Sequence, residues 1–129
     1  MYDDREFPDD WRWRAFSPHP GTVIGPVNEI PDGTAKEYRF GFGPAAFRMF
    51  VVRKDGAVHG YINSCPHSKV PLNHYEDTFF DESGQYLLCM QHFAVFTPQD
   101  GMCVEGPCEG QKLDKLTIEV RDDGQMVVL

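Results

Sequence analysis

Two short stretches concentrate the residue types with the most chemistry, Cys65-Pro66-His67 and Cys89-Met90-Gln91-His92. Each offers one thiol and one imidazole, and residues 68–88 lie between them. A Cys/His pair from each of two loops suits a binuclear metal centre whose two ions are chemically distinct. A closed tetrahedral zinc site also takes two cysteines and two histidines. Fingers, however, usually group cysteine with cysteine and histidine with histidine, and the mixing within each loop favours the binuclear centre. Cys103 and Cys108 do not complete the C-x4-C-x2-C spacing of an all-cysteine ferredoxin cluster. They are expected as two free, partly buried thiols, with a short disulfide across residues 104–107 as the alternative. His59 and His74 have no cysteine at loop spacing and are expected to be ordinary strand and loop histidines.

The segments that must position these loops read as β-structure. Val23, Ile24 and Val27 form a short apolar run broken by Gly25-Pro26, and Ile30-Pro31-Asp32-Gly33 supplies a turn. Tyr38, Phe40 and Phe42 alternate with Glu37, Arg39 and Gly41, which predicts a half-buried strand. Residues 47–53 and 57–62 predict a hairpin around Lys54-Asp55-Gly56 that runs straight into Cys65. Residues 78–88 predict two short strands around an acidic turn, a spacer that brings the two loops together. Strands are also expected at 94–96 and 102–104. Leu116, Ile118 and Val120 alternate with polar residues, and a turn at Asp122-Asp123-Gly124 closes a last hairpin with 126–129. No segment has a helical pattern.

At these two loops, with Pro71-Leu72 after the first and Gly106-Pro107 further on, the chain resembles the Rieske 2Fe-2S proteins, in their soluble ferredoxin form. The resemblance implies an all-β Rieske (ISP-like) fold, an antiparallel β base with an inserted cluster-binding subdomain. It covers residues 22–129, with the subdomain at about 63–97 and residues 1–21 left as an N-terminal arm. It also implies a Rieske-type 2Fe-2S cluster, with Cys65 and Cys89 on one iron and His67 and His92 on the other. Two thiolates replaced by neutral imidazoles leave the oxidised cluster uncharged. The potential therefore rises to about −150 to +300 mV, against about −400 mV for plant-type ferredoxins. The segment 105–110 resembles the family's proline-containing loop, which limits water access to the cluster.

Three departures matter. Respiratory members join the two loops by a disulfide, and the corresponding positions here are Val70 and Gln91. High-potential members place a serine hydroxyl just after the second loop, where this chain has Ala94, so a potential in the lower half of the range is expected. Phe93 stands where the family usually has glycine, either opening the loop or adding an aromatic contact at a docking surface.

The resemblance implies one-electron transfer from a flavin or NAD(P)H-dependent reductase to a terminal oxygenase or other oxidoreductase, without catalytic activity of the chain's own. The alternative is a small or accessory subunit of a multicomponent oxidoreductase, of dioxygenase or nitrite-reductase type. With 12 basic against 20 acidic residues the net charge is −8, which disfavours nucleic acid and suits either a basic docking patch on a protein partner or simple solubility. No apolar run approaches the roughly 18 residues of a membrane span. The first residues lack the basic and apolar regions of a secretory signal, so a cytoplasmic location is expected. Trp11, Trp13 and Phe16 in the arm are expected to pack on the domain, with a neighbouring subunit as the alternative.

Overall fold

The structure, a computed structural model, describes residue 11 and residues 14–129. The rest of the expected arm, Trp13 included, lies outside the described residues. Among the described residues ten strands form three antiparallel sheets, with a turn of 3-10 helix at Val27–Glu29. The middle sheet contains β2 (Thr34–Phe40), β3 (Phe47–Lys54), β4 (Ala57–Ile62) and β8 (Lys115–Leu116), in the order β2-β3-β4-β8. A second sheet runs β1-β10-β9, from β1 (Val23–Pro26), β10 (Gln125–Val128) and β9 (Ile118–Val120). The third is β5-β6-β7, built from Leu87–Leu88, Val95–Phe96 and Cys103–Glu105.

β3 organises the packing because both of its faces are buried. Phe50 and Val52 point into a core shared with Tyr61, Leu72, Phe79 and Phe96, whereas Met49 and Val51 join a second core with Ile30, Leu116 and Met126. This two-sided burial is why residues 47–52 read as a nearly unbroken apolar run rather than an alternation. The β3–β4 hairpin closes on Asp55-Gly56, at φ +53° and +81°, where two left-handed residues match the twist of the paired strands. It delivers the chain from Ile62 directly into the first cysteine loop.

The last third of the chain departs from the expected pattern. Residues 115–120 are not one strand. β8 pairs with β4, whereas β9 pairs with β10, so the chain crosses between sheets at Thr117. Gly60 permits the crossing, since a Cβ there would lie 2.8 Å from Ile118 Cγ1 and 2.9 Å from the Leu116 carbonyl. Leu116 is buried, but Val120 is 41% exposed, so the alternation does not mark one buried face. The two strands expected in 78–88 reduce to an isolated bridge, Phe80 with Leu87, and to β5. Asp81 explains this, because its carboxylate accepts from the Ser83 hydroxyl and the Gly84 amide and so tightens the turn. Phe42 lies beyond β2 and is exposed, its ring tilted against Phe16 at 5.1 Å rather than facing a core.

Trp11 is 4% exposed, with its ring 5.7 Å from Phe47, and Arg14 meets Asp114 at 3.3 Å. The described end of the arm therefore packs on the domain. Replacing Trp11 by alanine is expected to cost about 3 kcal/mol, within the range for a large buried aromatic. Urea denaturation measures it, and a loss below about 1 kcal/mol would show that the ring is dispensable to the second core.

Candidate metal centre

The two cysteine loops have one backbone design. In the first, the Cys65 amide donates to the Val70 carbonyl at 2.8 Å and the Lys69 amide to the Cys65 carbonyl at 2.7 Å. In the second, the Cys89 amide donates to Ala94 and the Phe93 amide to Cys89, both at 2.8 Å. Each loop thus closes from its cysteine to the fourth and fifth residues beyond. In each, the fourth residue is left-handed, Lys69 at φ +62° and Phe93 at +60°. Phe93 adopts the backbone that glycine would take, so the loop does not open, and the ring lies outward at 67% exposure.

Leu72, itself buried, ties the two loops to each other and to the base. Its carbonyl accepts from the Met90 amide and its amide donates to Asn63 Oδ1, each at 2.8 Å. The Asn63 Nδ2 in turn donates to Glu37 at 2.7 Å and to Asn73 Oδ1 at 2.9 Å. Glu37, on β2, has a side chain only 5% exposed and is gripped by one edge of the Arg48 guanidinium, whose Nε and Nη2 donate to its two oxygens at 2.6 and 3.0 Å. Burial alone would push this carboxyl up. The hydrogen bonds from Arg48 and Asn63 and the Arg48 and Arg39 charges outweigh it and hold the group below its ordinary range.

The structure sets the four predicted side chains in two unlike pairs. Cys65 and Cys89 are at most 1% exposed and in contact, whereas His67 and His92 are exposed, their rings perpendicular with centroids 4.9 Å apart. Burial raises the Cys89 thiol, as does the neighbouring Cys65, although the Gln91 and His92 amides donate to its sulfur. A desolvated thiol pair served by amide donors is ready to be ionised by a cation. Among the described residues, no three His, Cys, Asp or Glu side chains gather closely enough for a single metal ion.

The proline-containing segment 105–110, a third loop, packs against the second. Gly106, at φ +104°, comes so close to the second loop that a Cβ there would sit 2.9 Å from Ala94 Cα. Cys103 and Cys108 are free, as expected, but fully rather than partly buried, with Cys108 Sγ 3.0 Å from Cys103 Sγ. Burial and its cysteine neighbours push the Cys108 thiol up to about 12. His74 is exposed on the loop after Leu72, and His59 is half-buried on β4, where burial and Lys115 lower its pKa. Neither histidine belongs to the His67–His92 pair.

A family model described as "Rieske [2Fe-2S] domain" matches residues 21–122. The chain belongs to the Rieske [2Fe-2S] domain family. Among solved structures it is similar to the ferredoxin of carbazole 1,9a-dioxygenase from Nocardioides aromaticivorans IC177, at 16% identity and a TM-score of 0.65, covering 85% of this chain and 97% of that one. A chain from a complex of reduced oxygenase and oxidized ferredoxin in carbazole 1,9a-dioxygenase matches at 20% identity and a TM-score of 0.62, over 83% and 90% of the two chains. The terminal oxygenase of carbazole 1,9a-dioxygenase from Novosphingobium sp. KA1 matches at 16% identity and a TM-score of 0.67, over 84% of this chain but 29% of the oxygenase. Comparison of the sequence with curated proteins gives no match. At these identities the solved structures establish the all-β Rieske fold. Family membership brings a Rieske-type 2Fe-2S cluster as cofactor. The donor set fits it: two thiols and two imidazoles, segregated in pairs, suit two unlike irons better than one tetrahedral ion.

Asn63→Ala leaves the buried Leu72 amide without an acceptor, an expected loss of about 1–3 kcal/mol in chemical denaturation. Because the Glu37 pKa is lowered in the folded state, its contribution is full above the unfolded-state pKa and fades as pH falls through the folded one. Glu37→Gln should therefore cost stability at neutral pH and flatten the acid limb of the stability curve. An unchanged acid limb would exclude Glu37 as a source of acid sensitivity.

Proposed function

We propose that Cys65 and Cys89 hold one iron of the cluster, that His67 and His92 hold the other, and that the chain carries single electrons from a flavin or NAD(P)H-dependent reductase to a terminal oxygenase or similar oxidoreductase. The observation that carries this reading is the asymmetry of the end bearing the loops, with the thiols sealed in the core and the imidazoles exposed together at its rim. When bound, the cluster supplies reversible one-electron chemistry at moderate potential. Cys65 and Cys89 anchor it, while the third loop and the apolar core exclude water from their side. His67 and His92 face the solvent from which a partner approaches, and they form the shortest covalent route from metal to surface. Phe93, next to His92, adds an exposed aromatic contact, and electron-transfer encounters need little more area than such a tip offers.

Two further statements belong to this reading. Residues 63–97 act as the cluster-binding subdomain on a β base, with 1–21 as an arm, and the partners meet the chain in the cytoplasm. No helix among the described residues is long and apolar enough to cross a membrane. The likeness to 29% of an oxygenase chain keeps a second reading in view, a small subunit of a multicomponent oxidoreductase. Stable co-purification with a large catalytic subunit would favour it over a diffusing carrier.

Iron and sulfide analysis with electron paramagnetic resonance, before and after dithionite, tests the ligand set. A signal of low average g-value should appear on reduction and disappear in Cys65→Ser, Cys89→Ser, His67→Ala and His92→Ala. Stoichiometric zinc and silence in both states would sink the carrier. For Phe93→Gly, relief of the left-handed strain should stabilise the fold by about 1 kcal/mol. The same change should slow electron delivery to the partner in stopped-flow experiments. A more stable variant with unaltered transfer would remove the ring from the docking contact.

A further inference from the structure

Among the described residues two buried side-chain polar atoms have no hydrogen-bond partner, Arg53 Nε and Ser68 Oγ. Arg53 is served elsewhere on its guanidinium, since Nη1 donates to the Ile30 carbonyl at 3.0 Å. Ser68 has only its hydroxyl, and that hydroxyl is orphaned. Buried hydroxyls almost always find a partner, so an orphan calls for an explanation in what surrounds it.

Ser68 follows His67 inside the loop that the Cys65 amide and carbonyl close on Val70 and Lys69. The Val70 and Cys65 carbonyls of that loop are taken by these backbone bonds, and the buried Cys65 sulfur belongs to the same closed turn. The second loop supplies no hydroxyl at its own closing position, because Ala94 is there, fully buried against Gly106. The first loop therefore presents an enclosed O–H donor beside the proposed ligands, with no protein acceptor assigned to it.

We infer that Ser68 Oγ donates a hydrogen bond to a sulfur of the 2Fe-2S cluster, a bridging sulfide or the Cys65 thiolate, an inference that rests on the ligand set proposed above. Electron uptake makes these sulfurs more negative and so strengthens the bond in the reduced state. Ser68 then raises the potential, offsetting part of what Ala94 cannot provide. It is a tuning residue and not a ligand.

The test compares purified holoprotein carrying Ser68, Ser68→Ala, Ser68→Thr and Ser68→Val by redox titration. At the wild-type midpoint, Ser68→Ala should lower the ratio of reduced to oxidised cluster about tenfold, a typical effect of losing one bond to a charged acceptor, which for one electron corresponds to 59 mV. Threonine and valine have nearly one shape, so only the hydroxyl separates them. Threonine should titrate near wild type and valine near alanine, which keeps the comparison sound if the alanine variant assembles poorly. Resonance Raman spectra in H2O and D2O give a second readout. The Fe–S stretching shifts of the wild type should persist with threonine and shrink with valine. Equal potentials and isotope shifts in the threonine and valine proteins would overturn the inference while leaving the ligand set intact. Absence of any low-g signal in the wild type would overturn both.

Discussion

The site depends on one peptide unit pair, the amide and carbonyl of Leu72. The amide reaches down to Asn63 and through it to Glu37 on β2, and the carbonyl reaches across to Met90 in the second loop. Two loops far apart in sequence gain a fixed separation only if something rigid spans them, and loop ordering is costly in conformational entropy. Leu72 meets that cost with a side chain buried in the site-side core and both backbone groups bonded. Glu37 is buried for the same purpose. A carboxylate at 5% exposure is tolerable because Arg48 and Asn63 satisfy it, and it converts the twist of the middle sheet into a position for the first loop.

The repeated loop design follows from the need to close two turns around neighbouring thiols. Closing each turn with the same pair of backbone bonds requires a left-handed residue at the same place. Neither Lys69 nor Phe93 is a residue type that favours that conformation, so each loop holds some backbone strain next to an exposed histidine. The third loop follows a different rule. There the constraint is closeness to Ala94, and glycine meets it.

Most strand segments and the two cysteine/histidine pairs proposed as ligands stand out in the sequence, for physical reasons. Cysteine and histidine at short spacing have few other uses, and the Asp55-Gly56 hairpin has a turn chemistry that local sequence encodes. Other features were not legible because they arise between distant segments. The division of residues 115–120 between two sheets depends on Gly60 making room for Ile118, which no periodicity reports. Asn63 reads as an ordinary polar residue at a strand end, and only its burial against Glu37 and Leu72 reveals its part. Ser68 left a faint trace, a hydroxyl beside a ligand candidate. Phe93 stood out as a departure, but whether it would open the loop or keep its form depended on a backbone angle.

In place of a covalent cross-link, the two cysteine loops are joined by a hydrogen bond between main-chain groups. Such a join contains nothing that a thiol reductant can cleave, and its strength does not vary with the redox poise of its surroundings. Its vulnerability is to water. The clasp lasts as long as Leu72 stays dry, so the enemy of this centre is hydration of the gap between the loops, through local breathing or a poorly filled core, and not a change in the surrounding thiol balance.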